Sequence, residues 1–164
     1  MKVTLGLAFL SMAALLLFVF AAVALIQDRR FFTTAPKDIQ EAAIEHEERF
    51  KGQRLLDWIL ALIALGIFVF IIYYAGYDAI RNGYSFYQIF ARYLTILYLL
   101  KAFDIIFLDY YLLTKAHFFQ HYYPETEGCK GCHSFGFNWK SQLTRIIIFP
   151  FVSLHAAYIC TQIR

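Results

Sequence analysis

From Val3 to Ile26 the chain runs for 24 residues without a charged side chain. A hydrocarbon core about 30 Å thick takes roughly 20 apolar residues at about 1.5 Å rise each. No other feature restricts the fold as strongly. A second charge-free run, Trp58 to Tyr77, has 20 residues. A third apolar stretch, Tyr93 to Leu113, holds Lys101, Asp104 and Asp109 inside it, and a fourth, Ile146 to Ile163, is interrupted early by Pro150. Backbone polar groups in lipid find no water, so each stretch must pair them within itself as a helix. The fold class predicted is all-α: an integral membrane bundle of four transmembrane helices (spans 3–26, 58–77, 93–113 and 146–163), in one domain covering 1–164.

Composition agrees. The chain is 60% hydrophobic and 16% charged, against about 45–50% apolar and about 25% charged in an ordinary soluble domain. A net charge of +3, dispersed along the chain, gives no footprint for nucleic acid. There is no Gly-rich phosphate loop and no Ser-His-Asp spacing, so the motifs lean away from an enzyme. The first apolar run is far longer than the roughly 7–15 residues of a signal-peptide core, which makes it a retained signal-anchor helix.

Lys and Arg in short loops set the orientation. Arg29, Arg30, Lys37, Arg49, Lys51 and Arg54 lie between the first two spans; Lys115, Lys130, Lys140 and Arg145 lie between the last two. Only Lys2, Arg81, Arg92 and Arg164 oppose them. The expectation is a multi-pass protein of the cell membrane with both termini outside and the connections 27–57 and 114–145 in the cytoplasm. Aromatic residues near the span ends, such as Phe31, Phe118, Tyr122 and Trp139, suit interfacial anchoring.

Between the first two spans, Pro36 to Arg54 has the character of a soluble helix. Pro36 stands where a helix can begin, Asp38 and Glu41 fall in its first turn, and Gly52 weakens its end. Ile39, Ala43, His46 and Phe50 recur at helical spacing, which predicts a short amphipathic surface helix over 36–54, lying on the membrane or packed on the later connection. Glu45, His46 and Glu48 read as a solvated face rather than a metal site, because adjacent helical residues point in different directions.

The later connection, 114–142, contains Cys129-Lys130-Gly131-Cys132-His133. Two cysteines and a histidine at this spacing match c-type haem attachment. A cytoplasmic location and a loop this short argue against haem. In a reducing compartment a Cys-x-x-Cys pair more often binds metal or cycles as a dithiol. Zinc prefers four thiolate or imidazole ligands, and Cys129, Cys132, His133, His117 and His121 offer enough. His117 and His121 are four apart and share a face if the third helix continues past the bilayer surface. The plain alternative is a polar loop with two unrelated cysteines and interfacial histidines. Pro124, Gly128, Gly131 and Gly136 predict a loop there in any case.

Charges inside the third span carry the other candidate site. Lys101 and Asp104 are three residues apart and can pair on one helix face. Tyr93, Leu97, Leu108 and Tyr111 belong to the same broad face. A charge at the bilayer centre costs about 2.5–3.5 kcal/mol on insertion scales, so this face should point into the bundle. Asp104 lies nine residues before Leu113 and His155 nine after Ile146, which puts both about 13–14 Å above the cytoplasmic surface. A midplane cluster of Lys101, Asp104 and His155 is therefore predicted. Fixed structural pairing of the two charges competes with a proton, ion or substrate site. The function expected is that of a small membrane protein acting as a binding or accessory component around this cluster, with the lipid bilayer as its surroundings and a homo-oligomer or larger membrane complex as its setting. The alternative is a membrane redox or metal-binding protein using the Cys-x-x-Cys-His loop.

Overall fold

A computed structural model describes residues 1–26, 36–44, 48, 50–133, 135–136 and 138–163, with the backbone alone at 25, 26, 132 and 133. It is all-helical, and no strand occurs among the described residues. In chain order the helices are α1 (Lys2–Phe20), α2 (Lys37–Ala42), α3 (Gln53–Arg81), α4 (Phe86–Phe103), α5 (Phe118–Tyr122) and α6 (Trp139–Ile163). Two rods run on past their α-helical part in wider, π-type turns: α1 through Ala21–Ile26 and α4 through Asp104–Lys115.

Among the described residues three helices are long and apolar enough to cross a membrane: Lys2–Ala24, Gln53–Arg81 and Trp139–Ile163. The packing between them uses small side chains. Ala8, Ser11 and Ala14 of α1 are buried, as are Ala61, Ala64, Ala75, Gly76 and Ala79 of α3 and Ser153, Ala157 and Cys160 of α6. The large apolar residues Leu62, Leu65, Val69, Phe70 and Phe151 point outward. This is the order a lipid environment favours, because between lipid-embedded helices close backbone approach, not removal of oil from water, drives association.

The junction between α3 and α4 is written in local sequence. Gly83 adopts φ 67°, a left-handed turn that costs glycine little. Ser85 then caps α4 reciprocally: its backbone N–H donates to Gln88 Oε1 at 2.8 Å, while Gln88 N–H donates to Ser85 Oγ at 3.4 Å. The turn thus reverses the chain between α3 and α4, which then pack chiefly on α1 and α6.

Pro150 sits inside α6 without ending it. Proline has no N–H to give the carbonyl four residues earlier, here that of Ile146. Tyr98 Oη of α4 donates to that carbonyl at 3.3 Å, and its ring packs on Phe149 with centroids 5.9 Å apart. A neighbouring helix thus pairs the freed group, as the membrane interior demands.

Two sequence expectations need correction. The helix expected over 36–54 is six residues long in the described structure. Ala43 is already extended (ψ 126°), which lets Ile44 N–H donate to Glu125 Oε1 at 2.9 Å. Ile39 and Ala43 are buried against Leu113 and Tyr123, so α2 packs on the later connection. Phe50 is exposed, and Glu45 and His46 lie outside the described residues. The face assigned to the third span also breaks. Tyr93 and Leu108 are buried but Tyr111 is half exposed. Beyond Asp104 the wide turns bury residues five apart, Leu108 and Leu113, where an α-helix would bury them three or four apart.

Candidate functional site

Lys101 Nζ and Asp104 Oδ2 form an ion pair on the inner face of the α4 rod. Lys101 is buried and Asp104 partly so. Their three-residue spacing places them one turn apart, at the point where the α-helical turns give way to wider ones. The pair opens on a recess of about 310 Å³ between α1, α4 and α6. Leu15, Leu97, Leu100 and Phe149 form its apolar walls, and Arg145 of α6 lines it as a second cation. About one wide turn along the rod, Asp109 Oδ2 accepts the Gln142 amide at 2.7 Å, and that amide also donates to Asn138 Oδ1 at 3.1 Å.

His155 does not join this cluster. It is exposed, on the side of α6 opposite the buried Ser153 and Ala157. Ile146 is not the end of its helix: α6 begins seven residues earlier, at Trp139. The contacts of Asp109 with Gln142 and of Tyr98 with Ile146 set the antiparallel register. In that register Asp104 is level with the stretch between Gln142 and Ile146, and His155 lies about two and a half turns beyond it, on the wrong face. Arg145 occupies the place assigned to the histidine.

Among the described residues no group of three or more His, Cys, Asp or Glu side chains is placed to hold a metal ion. The side chains of Cys132 and His133 lie outside the described residues. His117 and His121 are both exposed. The rod stops at Lys115, and His117 takes a left-handed backbone (φ 50°) that starts α5, so the two histidines do not continue one helix face. Cys129 is engaged differently again. Its thiol donates to the Asp38 carbonyl of α2 at 3.7 Å, and partial burial together with the Asp38 carboxylate pushes its pKa up. Cys129 thus belongs to the packing of this connection on α2.

What this loop does build is a joint with α2. Gly131 N–H donates to Asp38 Oδ2 at 2.7 Å. A Cβ on Gly131 would overlap Pro36 and the Asp38 carboxylate, so only glycine allows the approach.

The end of the bundle at the α3–α4 turn holds an ion pair absent from the sequence expectations. Arg92, buried in α4, gives Nη1 to Asp78 Oδ2 at 2.7 Å and to the Ala75 carbonyl at 3.1 Å. Tyr84 covers the guanidinium, its ring centroid 4.5 Å from the central carbon. Asp78 and Arg92 flank the Gly83 turn and the Ser85 cap, and that hairpin signature is what brings them together. Near the other end, Asp57 of α3 is fully buried, and neither carboxylate oxygen has a hydrogen-bond partner among the described residues.

No protein-family model, curated protein or solved structure matches the chain. Its function has to be argued from the geometry alone.

Proposed function

We propose that this protein is a small binding or accessory component of the cell membrane, built around the Lys101–Asp104 pair and the recess it opens on. In this reading the rod Phe86–Lys115 is a fourth crossing, both termini lie outside and the connections 27–57 and 114–145 are cytoplasmic. Support for the fourth crossing comes from how its charges are met: Arg92 by Asp78, Lys101 by Asp104 and Asp109 by Gln142. Charges that face protein partners escape most of the cost of facing lipid.

One observation carries the binding role. A structural ion pair needs no adjoining space, yet this one lines a recess of about 310 Å³ with apolar walls and a further cation, Arg145. Small-ligand sites share that pattern of mostly apolar lining with a few convergent polar groups, at volumes of about 300–1,000 Å³. The recess is at the small end of that range. The test is native mass spectrometry of protein purified in mild detergent. Wild type should retain a bound molecule, and the double variant Lys101→Met with Asp104→Asn should fold and lose it. Equal retention by both proteins would remove the pair from the site.

A further inference from the structure

We propose that the recess takes the monoanionic phosphodiester head of a membrane phospholipid, with the first methylenes of its tail against Leu97, Leu100 and Phe149. The proposal rests on the binding role argued above and names its ligand.

Charge comes first. Lys101 and Arg145 against Asp104 leave one positive charge among the lining residues, a sign that favours an anion there. The Lys101 ammonium is already held by Asp104. Arg145 is exposed and makes no ion pair among the described residues. Its guanidinium is a planar fork that matches the paired oxygens of a phosphate or carboxylate. Asp109 stands close enough to interact electrostatically with Lys101 and Arg145, but it does not line the recess and its Oδ2 is taken by the Gln142 amide.

The order of polarity along the recess then selects an amphiphile. Tyr98 meets Ile146 and Asp109 meets Gln142, so Arg145 and Asp104 lie at the end nearer the start of α6, with Leu97 and Phe149 deeper. That start carries exposed Trp139 with Lys140 over its ring, 5.8 Å from the centroid, a pairing suited to the headgroup level. Arg145 is six residues further in, about 9 Å along the helix. A head at Arg145 and a tail running inward follow the direction in which a lipid already stands. The volume of about 310 Å³ takes a head and the start of a chain, leaving the remainder in the bilayer.

The test uses the full chain in nanodiscs of zwitterionic phospholipid doped with phosphatidylglycerol, followed by native mass spectrometry of the lipid retained on release. Parallel arms offer a free fatty acid or inorganic phosphate to protein in detergent. Wild type should retain one phosphatidylglycerol. Arg145→Gln and Leu97→Trp, which fills the recess, should each lower retention at least about tenfold, the ratio one charge-assisted contact supports. Lys140→Gln, a cation outside the recess, should leave retention unchanged. Folding of each variant is read from helical circular dichroism and thermal unfolding, and Arg145→Lys, which keeps the charge, should recover part of the retention. Phosphatidylglycerol retention that ignores both Arg145→Gln and Leu97→Trp overturns the proposal. Retention of a fatty acid, inorganic phosphate or another molecule in its place, lost on Leu97→Trp, overturns the phospholipid while leaving the binding role standing. A recess that retains nothing in any arm overturns both.

Discussion

The seam between α1 and α3 and the seam between α4 and α6 solve the same problem with opposite materials. The first is made of Ala8, Ser11, Ala14, Ala61, Ala64 and Ala75, with Ser11 Oγ donating to the Ala8 carbonyl at 2.7 Å. Its stability is a matter of distance between backbones. The second holds Tyr98 on a carbonyl freed by Pro150, Asp109 on Gln142, and the Lys101–Asp104 pair beside Arg145. Its stability is a matter of pairing. A seam of alanines tolerates loss of a polar group because it has almost none, and fails when something larger is inserted. A seam of paired polar groups fails when one partner is taken away. The recess lies where the α4–α6 seam meets α1, and a purely small-residue seam would have closed it.

The largest predicted effect lies at the buried pair nearest the α3–α4 turn. Asp78→Asn leaves the Arg92 guanidinium buried without its carboxylate, which in buried pairs costs about 3–5 kcal/mol. Denaturant unfolding in detergent should show a smaller loss for Asp78→Asn combined with Arg92→Met. A double variant as unstable as the sum of its single changes would make the two charges independent. Next comes the alanine seam. Ala64→Leu inserts bulk at a fully buried position, and overpacking typically costs about 1–3 kcal/mol. The same substitution at exposed Ala13 of α1 should cost little. If the two changes are equal, α1 and α3 do not pack through Ala64.

Smaller effects follow at single polar contacts. Tyr98→Phe leaves the Ile146 carbonyl without a donor, and hydrogen bonds between membrane helices average about 0.6 kcal/mol. In a Pro150→Ala background the helix can pair that carbonyl itself, so Tyr98→Phe should then cost less. An unchanged cost would place the hydroxyl's role elsewhere. The last effect is kinetic. With Cys132 and Cys160 replaced by Ser, Cys129 should alkylate slowly at neutral pH and faster as pH rises, because its pKa is held above the ordinary thiol value. Asp38→Asn removes one cause of that shift and should speed the reaction at fixed pH. A slower or unchanged rate would take the Asp38 carboxylate out of the account.

What the sequence made legible was whatever repeats along one helix. The charge-free runs of α1 and α3 located two rods, because spanning length and absence of charge are local properties. Lys101 and Asp104 are neighbours on one turn for the same reason. Contacts that join distant segments left no local trace. The extended backbone at Ala43 answers to Glu125, 81 residues from Ile44. Gly131 reads as a loop breaker, yet its reason is the approach of Pro36 and Asp38. His155 was misplaced because the ends of an apolar run do not fix helix register; Asp109, Gln142, Tyr98 and Ile146 do. Arg92 counted only as a loop cation, although the Gly83 turn and the Ser85–Gln88 box were signals that would fold it back onto Asp78.

The measurement that bears most directly on the recess is a double-mutant cycle at its charged pair. Unfolding free energies would be compared for wild type, Lys101→Met, Asp104→Asn and the combination. With Lys101 buried and turned toward protein, Asp104→Asn alone leaves an uncompensated ammonium and should be less stable than the combination, with a coupling of about 1 kcal/mol or more. Single changes that add without coupling, each within about 0.5 kcal/mol of wild type, would contradict the account by showing that the pair faces outward and lines no site.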